Sequence, residues 1–256
     1  MATIPLQPGI IYGPVLSRRL GRSLGINLMP ADRKICSFDC VYCQYGETQT
    51  LTALPAESII PTTSAALSAV EKALKKPRTI DFLTFSGNGE STIHPHFPDI
   101  VRGVKEIRDR LSPNAKLALL SNASQLHCPS IIDAIHLIDS PMMKLDAGDE
   151  ETFRLINRPL GDIQFQTILD GLHEIPNLMI QSLLIDGQIS NIRGEAFENW
   201  VRVLKELQPK AIHIYSLDRP TPVDVLKRVD PPTLQKIEHI LNHDHDLNVE
   251  AFWREG

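Results

Sequence analysis

Short runs of β-branched and apolar residues alternate along this chain with longer amphipathic stretches. The alternation is typical of repeated βα units, and it predicts a largely parallel sheet covered by helices. The predicted strands are Leu24 to Met29, Thr79 to Phe85, Lys116 to Leu120, Ser140 to Leu145, Leu178 to Ile185 and Ala211 to Tyr215. The predicted helices are Ala56 to Lys75, Phe97 to Leu111, Ser130 to Ile135, Phe165 to Glu174, Glu195 to Leu207 and Pro232 to Asn242.

Six consecutive βα units with right-handed crossovers form either an open doubly wound sheet or a partial barrel. No repeat, low-complexity tract or long Gly/Ser linker divides the chain, so a single α/β domain is the simpler interpretation. In both architectures the functional groups lie at the C-terminal ends of the strands. The residues that end each predicted strand are therefore the candidates for a binding site.

The composition narrows the classes of protein. Hydrophobic residues make up 42% of the 256, enough for a buried core, and the net charge of -5 disfavours a protein that wraps a long nucleic acid. No segment approaches the roughly 20 apolar residues that cross a bilayer, so we expect a cytoplasmic protein without membrane contact. Three of the four cysteines lie within eight positions, which favours metal binding in a reducing compartment over disulfides.

The three close cysteines are Cys36, Cys40 and Cys43, spaced C-x₃-C-x₂-C on the loop after the first predicted strand. Three thiolates on such a short loop can face one point. Iron–sulfur clusters commonly take four cysteine ligands, so three leave one iron open for a substrate or cofactor. A structural zinc site is the alternative, and its fourth ligand would come from Cys128, Asp39 or a distant histidine.

Polar residues follow the later predicted strands. In Gly87-Asn88-Gly89-Glu90 the glycines allow a ligand to approach the backbone closely, and Glu90 offers a carboxylate to an ammonium group, although a plain turn has the same composition. Alternation places Lys144 and Asp146 on one face, where each needs the other or a ligand if buried, and a solvated strand end is the alternative. The other strand-end candidates are Ser121, Asn122, Ser182 and Tyr215.

Three arginines precede the first predicted strand: Arg18, Arg19 and Arg22. Guanidinium groups bind phosphate and carboxylate through paired hydrogen bonds, so this segment is a candidate anion site for a substrate. Structural salt bridges would use the same residues equally well.

The cysteine triplet, with Tyr42 just before its last cysteine, resembles the cluster-binding loop of the radical S-adenosylmethionine (SAM) superfamily. The resemblance implies a [4Fe–4S] cluster whose open iron is chelated by SAM, and one-electron reduction that releases a 5′-deoxyadenosyl radical. The segment Gly87 to Glu90 is similar to the Gly-rich, Glu-containing segment that contacts the SAM amino group in that superfamily.

Four longer segments are similar to an uncharacterised radical SAM group related to the tRNA wyosine synthases, and the likeness runs from about Tyr12 to Pro222. They are Tyr12 to Gly25, Phe85 to Glu90, Lys144 to Gly148 and Asn157 to Pro159. Wyosine synthases carry a second cluster on cysteines upstream of the radical SAM loop, whereas no cysteine precedes Cys36 here. We therefore expect no second cluster, and the negative net charge does not favour tRNA as the partner.

With this resemblance we expect a partial (β/α)6 barrel over residues 23–220, an N-terminal extension over 1–22 packing on it, and a C-terminal extension over 221–256. The expected function is reductive cleavage of SAM, with a reductant such as flavodoxin or ferredoxin and with an RNA base among the candidate substrates. A modifying or activating enzyme for a peptide, protein or small metabolite is one alternative, and a non-catalytic zinc protein is another. The expected SAM contacts are Tyr42, Gly87, Asn88, Gly89, Glu90, Ser121, Asn122, Lys144, Asp146, Ser182 and Tyr215.

Overall fold

A computed structural model of the protein describes residues 4–218, 221, 223 and 225–254. The strands are β1 (Ile11–Ser17), β2 (Gly21–Ile26), β3 (Ile35–Cys36), β4 (Thr50–Leu51), β5 (Phe82–Phe85), β6 (Lys116–Ser121), β7 (Ser140–Lys144), β8 (Met179–Leu183), β9 (Ile185–Gly187), β10 (Ala211–Tyr215), β11 (Leu226–Arg228) and β12 (Val249–Phe252). The α-helices are α1 (Thr63–Leu74), α2 (Phe97–Leu111), α3 (Pro129–Ile135), α4 (Glu150–Asn157), α5 (Phe165–His173), α6 (Gly194–Leu207) and α7 (Pro231–Asp244). Short 3-10 helices cover Glu57–Ile59 and Ser91–Ile93.

Eight of the described strands form one curled sheet, in the order β1-β2-β5-β6-β7-β8-β10-β12. Strand β1 runs antiparallel to β2, and the other neighbouring pairs are parallel. The amphipathic helices cover the outer face of this half-barrel; in α2, for example, Ile100, Val101 and Val104 are fully buried. The prediction of a partial α/β barrel is confirmed.

All six predicted strands are present, as β2, β5, β6, β7, β8 and β10, with shifted ends. The predicted strand Leu178 to Ile185 is two strands, because the chain leaves the main sheet after Leu183 and β9 pairs antiparallel with β11. The predicted strand from Thr79 begins only at Phe82.

The predicted helix Ala56 to Lys75 is wrong over its first turns. The chain forms a 3-10 helix over Glu57–Ile59, Ile60 is extended, and α1 begins only at Thr63. Pro61 explains the break, since a residue that precedes proline avoids the helical region. Thr62 then caps α1 through its side-chain oxygen, which accepts a hydrogen bond from the Ala65 amide at 3.2 Å.

The elements that the prediction missed include β1, α4 and β12. Strand β1 contains Gly13 and Pro14, which argue against a central strand but are tolerated at an edge. Helix α4 is too short to show a clear period, although Asp149 caps it by accepting from the Thr152 amide at 2.7 Å. Strands β1 and β12 lie in the ranges predicted to be extensions, and they form the two edges of the main sheet.

Helix α6 fixes the end of β7, where two of the candidate residues lie. The Trp200 side chain is fully buried, and its Nε1 donates a hydrogen bond to the Leu145 carbonyl at 3.0 Å.

Within the described part of the chain, no helix combines the length and the apolar character needed to cross a bilayer.

Candidate active site

A cavity of 370 Å³ opens at the C-terminal ends of the parallel strands. Its wall combines the cysteine loop with residues at the ends of β5, β6, β7, β8 and β10. The candidate residues that line it are Arg19, Cys36, Cys40, Tyr42, Cys43, Gly87, Gly89, Glu90, Ser121, Asn122, Lys144 and Tyr215. Most of the residues chosen from the sequence therefore meet in one place.

The cysteine loop is attached directly to the end of β5. Ile35 and Gly89 form a parallel bridge, in which the Ile35 amide donates to the Asn88 carbonyl at 3.1 Å and the Glu90 amide donates to the Ile35 carbonyl at 3.3 Å. Gly89 has a φ of +154°, and a Cβ atom there would lie 1.6 Å from the Ile35 carbonyl oxygen. This position therefore requires glycine so that the cysteine loop can dock. The sequence analysis had instead attributed the glycine to the close approach of a ligand.

Cys36, Cys40 and Cys43 are half-buried, free of disulfides, and share the cavity wall. The Cys43 amide donates to the Cys40 carbonyl at 3.0 Å, which closes a tight turn between these two residues. Burial raises the pKa of the Cys36 thiol to about 12 and that of the Cys40 thiol to about 11. Because thiols must lose their protons to bind a metal, loading the site releases protons.

Several donors face the sulfur atoms. Asn122 Nδ2 lies 3.6 Å from Cys36 Sγ, and Asn157 Nδ2 lies 3.5 Å from Cys40 Sγ. Lys34 is buried beside the loop and donates to the Gly46 carbonyl at 2.8 Å. Burial alone would lower the pKa of Lys34, but the neighbouring cysteines outweigh burial and the pKa is raised. Amide donors and a fixed positive charge are the surroundings that stabilise a negatively charged sulfur cluster.

Three thiols on one short loop would offer three separate corners to a cubane cluster. Among the described residues, no group of three or more His, Cys, Asp or Glu side chains is placed to hold one metal ion. A tetrahedral zinc ion would require ligands converging at about 2.3 Å for sulfur, whereas the irons of a cubane bind their thiolates at separate corners.

Glu90 is buried at the end of β5, with 3% of its surface exposed. Its Oε1 accepts hydrogen bonds from the Thr92 amide at 3.0 Å, the Thr92 hydroxyl at 2.7 Å and the Ser121 hydroxyl at 2.9 Å. Its Oε2 accepts from the Asn122 amide at 2.7 Å. Burial raises the pKa of Glu90, and these hydrogen bonds oppose the rise. With one described donor, Oε2 keeps a free lone pair for a group in the cavity.

Asn88 does not line the cavity, unlike its neighbours. Its Nδ2 donates to the Gln7 carbonyl at 2.9 Å and to the Pro30 carbonyl at 2.8 Å, and its Oδ1 accepts from the Gln7 amide at 2.7 Å. Asn88 therefore anchors the N-terminal segment instead of facing a ligand. Gly87 has a φ of +138°, and a Cβ atom there would lie 2.6 Å from Asn27 Oδ1, so its glycine too is required by packing.

The half-buried Lys144 pairs with the buried Asp146, with 3.6 Å between Lys144 Nζ and Asp146 Oδ2. Asp146 lies behind the cavity wall, where it accepts from the Tyr42 hydroxyl, from Asn157 Nδ2 at 2.8 Å and from the Leu183 amide at 2.8 Å. Lys144 Nζ faces the cavity 5.0 Å from the centre of the Tyr42 ring. Burial lowers the pKa of Lys144, but the Asp146 carboxylate outweighs it and the pKa is raised, so Lys144 is positively charged.

Ser182 also lies outside the cavity. It is fully buried, and its hydroxyl donates to the Leu145 carbonyl, which joins β8 to the end of β7. The preceding residue, Gln181, points into the cavity instead. Alternation along β8 makes only one of the two face inward, and the sequence analysis chose Ser182.

The family model described as the radical SAM superfamily matches residues 34–207, more than half of the chain, including the cysteine loop and β5 to β9. The protein belongs to the radical SAM superfamily. This membership confirms the resemblance to the radical SAM superfamily that the spacing of the three cysteines indicated.

Among relatives of this radical SAM protein, a UPF0026 protein of Methanocaldococcus jannaschii is 34% identical over 238 residues, which cover 91% of this chain and 70% of the relative. A GTPase Obg of Brachyspira hyodysenteriae is 25% identical, covering 94% of this chain, and the chain spans 35% of that protein's length.

Solved radical SAM structures share the fold. A radical SAM methyltransferase from Sphaerobacter thermophilus superposes with a TM-score of 0.63 at 16% identity, covering 91% of this chain and 67% of that one. TYW1 with a lysine-pyruvate adduct bound superposes with a TM-score of 0.59 at 15% identity, covering 87% of this chain and 74% of that one.

The three arginines of this radical SAM protein do not form one site. Arg22 pairs with Asp81 at 2.8 Å, at the N-terminal ends of β2 and β5 and away from the cavity. Arg18 pairs with Asp218 after β10, and Arg19 enters the cavity. Arg22 therefore takes part in a structural salt bridge with Asp81. A structural salt bridge was the alternative to an anion site in the sequence analysis.

Lys34, Asn157 and Gln181 belong to the site but were not assigned to it from the sequence. Lys34 lies two positions before Cys36, and this proximity was an available signal. Asn157 comes from α4, which the sequence did not predict, so its contact with Cys40 could not be inferred.

His213 provides a test of pH dependence that is separate from the cysteines. It is 6% exposed on β10, packs against Phe252, and burial together with the charge of Arg19 lowers its pKa from 6.5 to about 4. As pH falls below 6.5 the unfolded chain takes up a proton here that the folded chain does not, so folding stability decreases. We expect His213→Gln to reduce the loss of unfolding free energy between about pH 7 and about pH 4.5 by about 2 kcal/mol.

Urea unfolding at the two pH values measures this difference, with His127→Gln, an exposed loop histidine, as the matched control. The same loss in His213→Gln and in the unmodified protein would contradict the assignment.

Proposed function

We propose that the protein binds a [4Fe–4S] cluster on Cys36, Cys40 and Cys43 and cleaves SAM reductively at the open iron. The observation that carries the proposal is the convergence of these three thiols on one cavity at the strand ends, with amide donors facing two of the sulfurs. When bound, the cluster and SAM supply a 5′-deoxyadenosyl radical for hydrogen abstraction.

Charged and amide side chains of the protein would bind and orient the cluster and SAM. Lys34 beside the cysteines offsets the negative charge of thiolates, and Asn122 and Asn157 orient two of them through hydrogen bonds. The free lone pair on Glu90 Oε2 would accept a hydrogen bond from the ammonium group of SAM. Lys144, positively charged and facing the cavity, would bind the carboxylate or the ribose of SAM.

Apolar side chains complete the wall and shield a reactive intermediate from water. Phe38, Leu120 and Leu183 line the cavity between the polar groups, and Tyr12 closes it beside Ser86, with 2.5 Å between the two hydroxyl oxygens. A radical enzyme needs such exclusion to prevent side reactions.

Two classes of substrate are compatible with this proposal. An RNA base is suggested by the likeness of fold to TYW1 wyosine synthase, and a peptide, protein or small metabolite is the alternative. A flavodoxin or ferredoxin would supply the electron.

Anaerobic reconstitution with iron and sulfide, followed by dithionite and SAM, tests the proposal. We expect a brown protein with roughly four irons per chain and formation of 5′-deoxyadenosine. A fully loaded protein that forms none would overturn the proposed reaction, and a colourless protein with one zinc ion would support the structural zinc alternative.

A further inference from the structure

Arg19 places a positive charge inside the cavity that no described carboxylate balances. Within the described residues its guanidinium makes one hydrogen bond, from Nη1 to Gln181 Oε1 at 2.8 Å, and lies over the Tyr215 ring at 4.6 Å from its centre. None of the ion pairs among these residues includes it. Most of its five N–H donors therefore remain available to a ligand.

The position of Arg19 is fixed before any ligand binds. The turn between β1 and β2 is closed by Ser17, whose hydroxyl accepts from the Arg19 amide at 3.3 Å and the Leu20 amide at 3.1 Å. Leu20 is buried in the barrel interior against Ala118 and Met142. A preorganised guanidinium loses less entropy on binding an anion than a mobile surface side chain does.

The cavity wall carries three cationic side chains, Arg19, Lys34 and Lys144. The charge of Lys34 acts on the thiol of Cys36, and that of Lys144 acts on the thiol of Cys40. The charge of Arg19 acts on Lys144 and on His213, on the side of the cavity formed by β7 and β10. Lys34 therefore lies beside the cysteines, whereas the Arg19 guanidinium lies against Gln181 and Tyr215 on β8 and β10.

A second group of arginines surrounds Asp218, and one of them, Arg18, precedes Arg19 in the chain. Arg18, Arg228 and Arg254 all approach Asp218, with distances of 3.8 Å from Arg228 and 3.7 Å from Arg254. Three guanidinium groups share one carboxylate whose side chain is 9% exposed, while their own side chains are 37% to 56% exposed. This group of three arginines and Asp218 therefore carries a local charge of about +2 despite the negative net charge of the chain.

We propose that the substrate carries phosphate groups, one bound by Arg19 inside the cavity and another by the arginines around Asp218, which are Arg18, Arg228 and Arg254. This inference rests on the proposed function, because it assigns the space beyond SAM to the substrate. Phosphate fits better than one carboxylate, since it offers three oxygens and up to two charges to several guanidinium donors. A small phosphorylated metabolite and the phosphodiester chain of a nucleic acid both supply this chemistry.

The test uses the cluster-loaded protein with inorganic pyrophosphate as the probe, titrated by anaerobic calorimetry at low salt. Pyrophosphate is expected to bind, and Arg19→Gln is expected to weaken its binding by about 10- to 100-fold, more than it weakens the binding of SAM. Arg19→Lys, which keeps the charge without the paired donors, is expected to fall between. Arg102→Gln on α2, an exposed arginine paired with Asp99, is the matched control and should bind pyrophosphate as the unmodified protein does.

Equal pyrophosphate binding by Arg19→Gln and the unmodified protein overturns the proposal, as does a lack of binding by the unmodified protein. A loss of SAM affinity as large as the loss of pyrophosphate affinity also overturns it, because Arg19 would then serve the cofactor. Iron content and 5′-deoxyadenosine are measured on the same preparation. If the protein loads iron and cleaves SAM but does not bind pyrophosphate, this inference alone is wrong. If it does not load iron or does not cleave SAM, the proposed function is wrong.

A short single-stranded RNA distinguishes the two sources of phosphate. If the substrate is a nucleic acid, the RNA competes with pyrophosphate, and Arg254→Gln makes the slope of log affinity against log salt shallower by about 0.7. If the substrate is a small metabolite, pyrophosphate binding depends on Arg19 and the RNA does not compete.

Discussion

Replacing Cys40 by alanine is expected to abolish both iron loading and the formation of 5′-deoxyadenosine. Two thiolates on the same loop cannot hold a cluster in place of three, and the Asn157 amide that faces Cys40 Sγ at 3.5 Å cannot replace the sulfur. Iron content by chelator assay, visible absorbance and product analysis after dithionite and SAM measure the effect. The product should fall below detection while the fold, followed by circular dichroism, remains.

Cys128→Ala is the matched control, because Cys128 precedes α3 and lies outside the cavity wall. It should load iron and form product as the unmodified protein does. Full iron content in Cys40→Ala would contradict the assignment of the ligands, and a loss of iron in Cys128→Ala would indicate that this distant thiol takes part.

Gly89→Ala is expected to destabilise the protein by about 3 kcal/mol or more and to prevent cluster loading. The new Cβ would lie 1.6 Å from the Ile35 carbonyl oxygen, and both atoms belong to the backbone, so no side chain can move aside. The cysteine loop must then separate from the end of β5, which displaces Cys36 from its partners. Urea unfolding gives the stability, and iron content after reconstitution gives the effect on the site.

Gly161→Ala is the control for this substitution, since no heavy atom lies within 4 Å of a Cβ built at Gly161. Its unfolding free energy should stay within about 0.5 kcal/mol of the unmodified protein. Similar stability and iron content in the two variants would show that the bridge between Ile35 and Gly89 does not hold the loop.

The main elements of the fold could be predicted because each carries its own periodicity. Strands of the parallel sheet are apolar on both faces, and helices such as α2 show one apolar side, so both patterns are visible without neighbours. Edge strands lack this signal. Strand β1 contains Gly13 and Pro14, and only its pairing with β2 makes it a strand.

The site was predictable where one short segment carries several functional groups. The spacing of Cys36, Cys40 and Cys43 is a local property, and it correctly indicated the superfamily. The direction of single side chains was not predictable, as Asn88 and Ser182 show, since both are polar residues near strand ends that bind backbone carbonyls behind the wall. The role of Gly89 also differed, because its neighbour is Ile35, more than fifty positions away.

The sequence by itself determined the βα pattern, the close spacing of the three cysteines and the superfamily, because each of these depends on residues close together in the chain. Only the tertiary structure decided which charges remain available. It pairs Arg22 with Asp81, turns Asp146 away from the cavity toward Tyr42, and leaves Arg19 facing open space. Whether a charge is neutralised depends on partners brought together from distant segments, and distance along a sequence does not report distance in space.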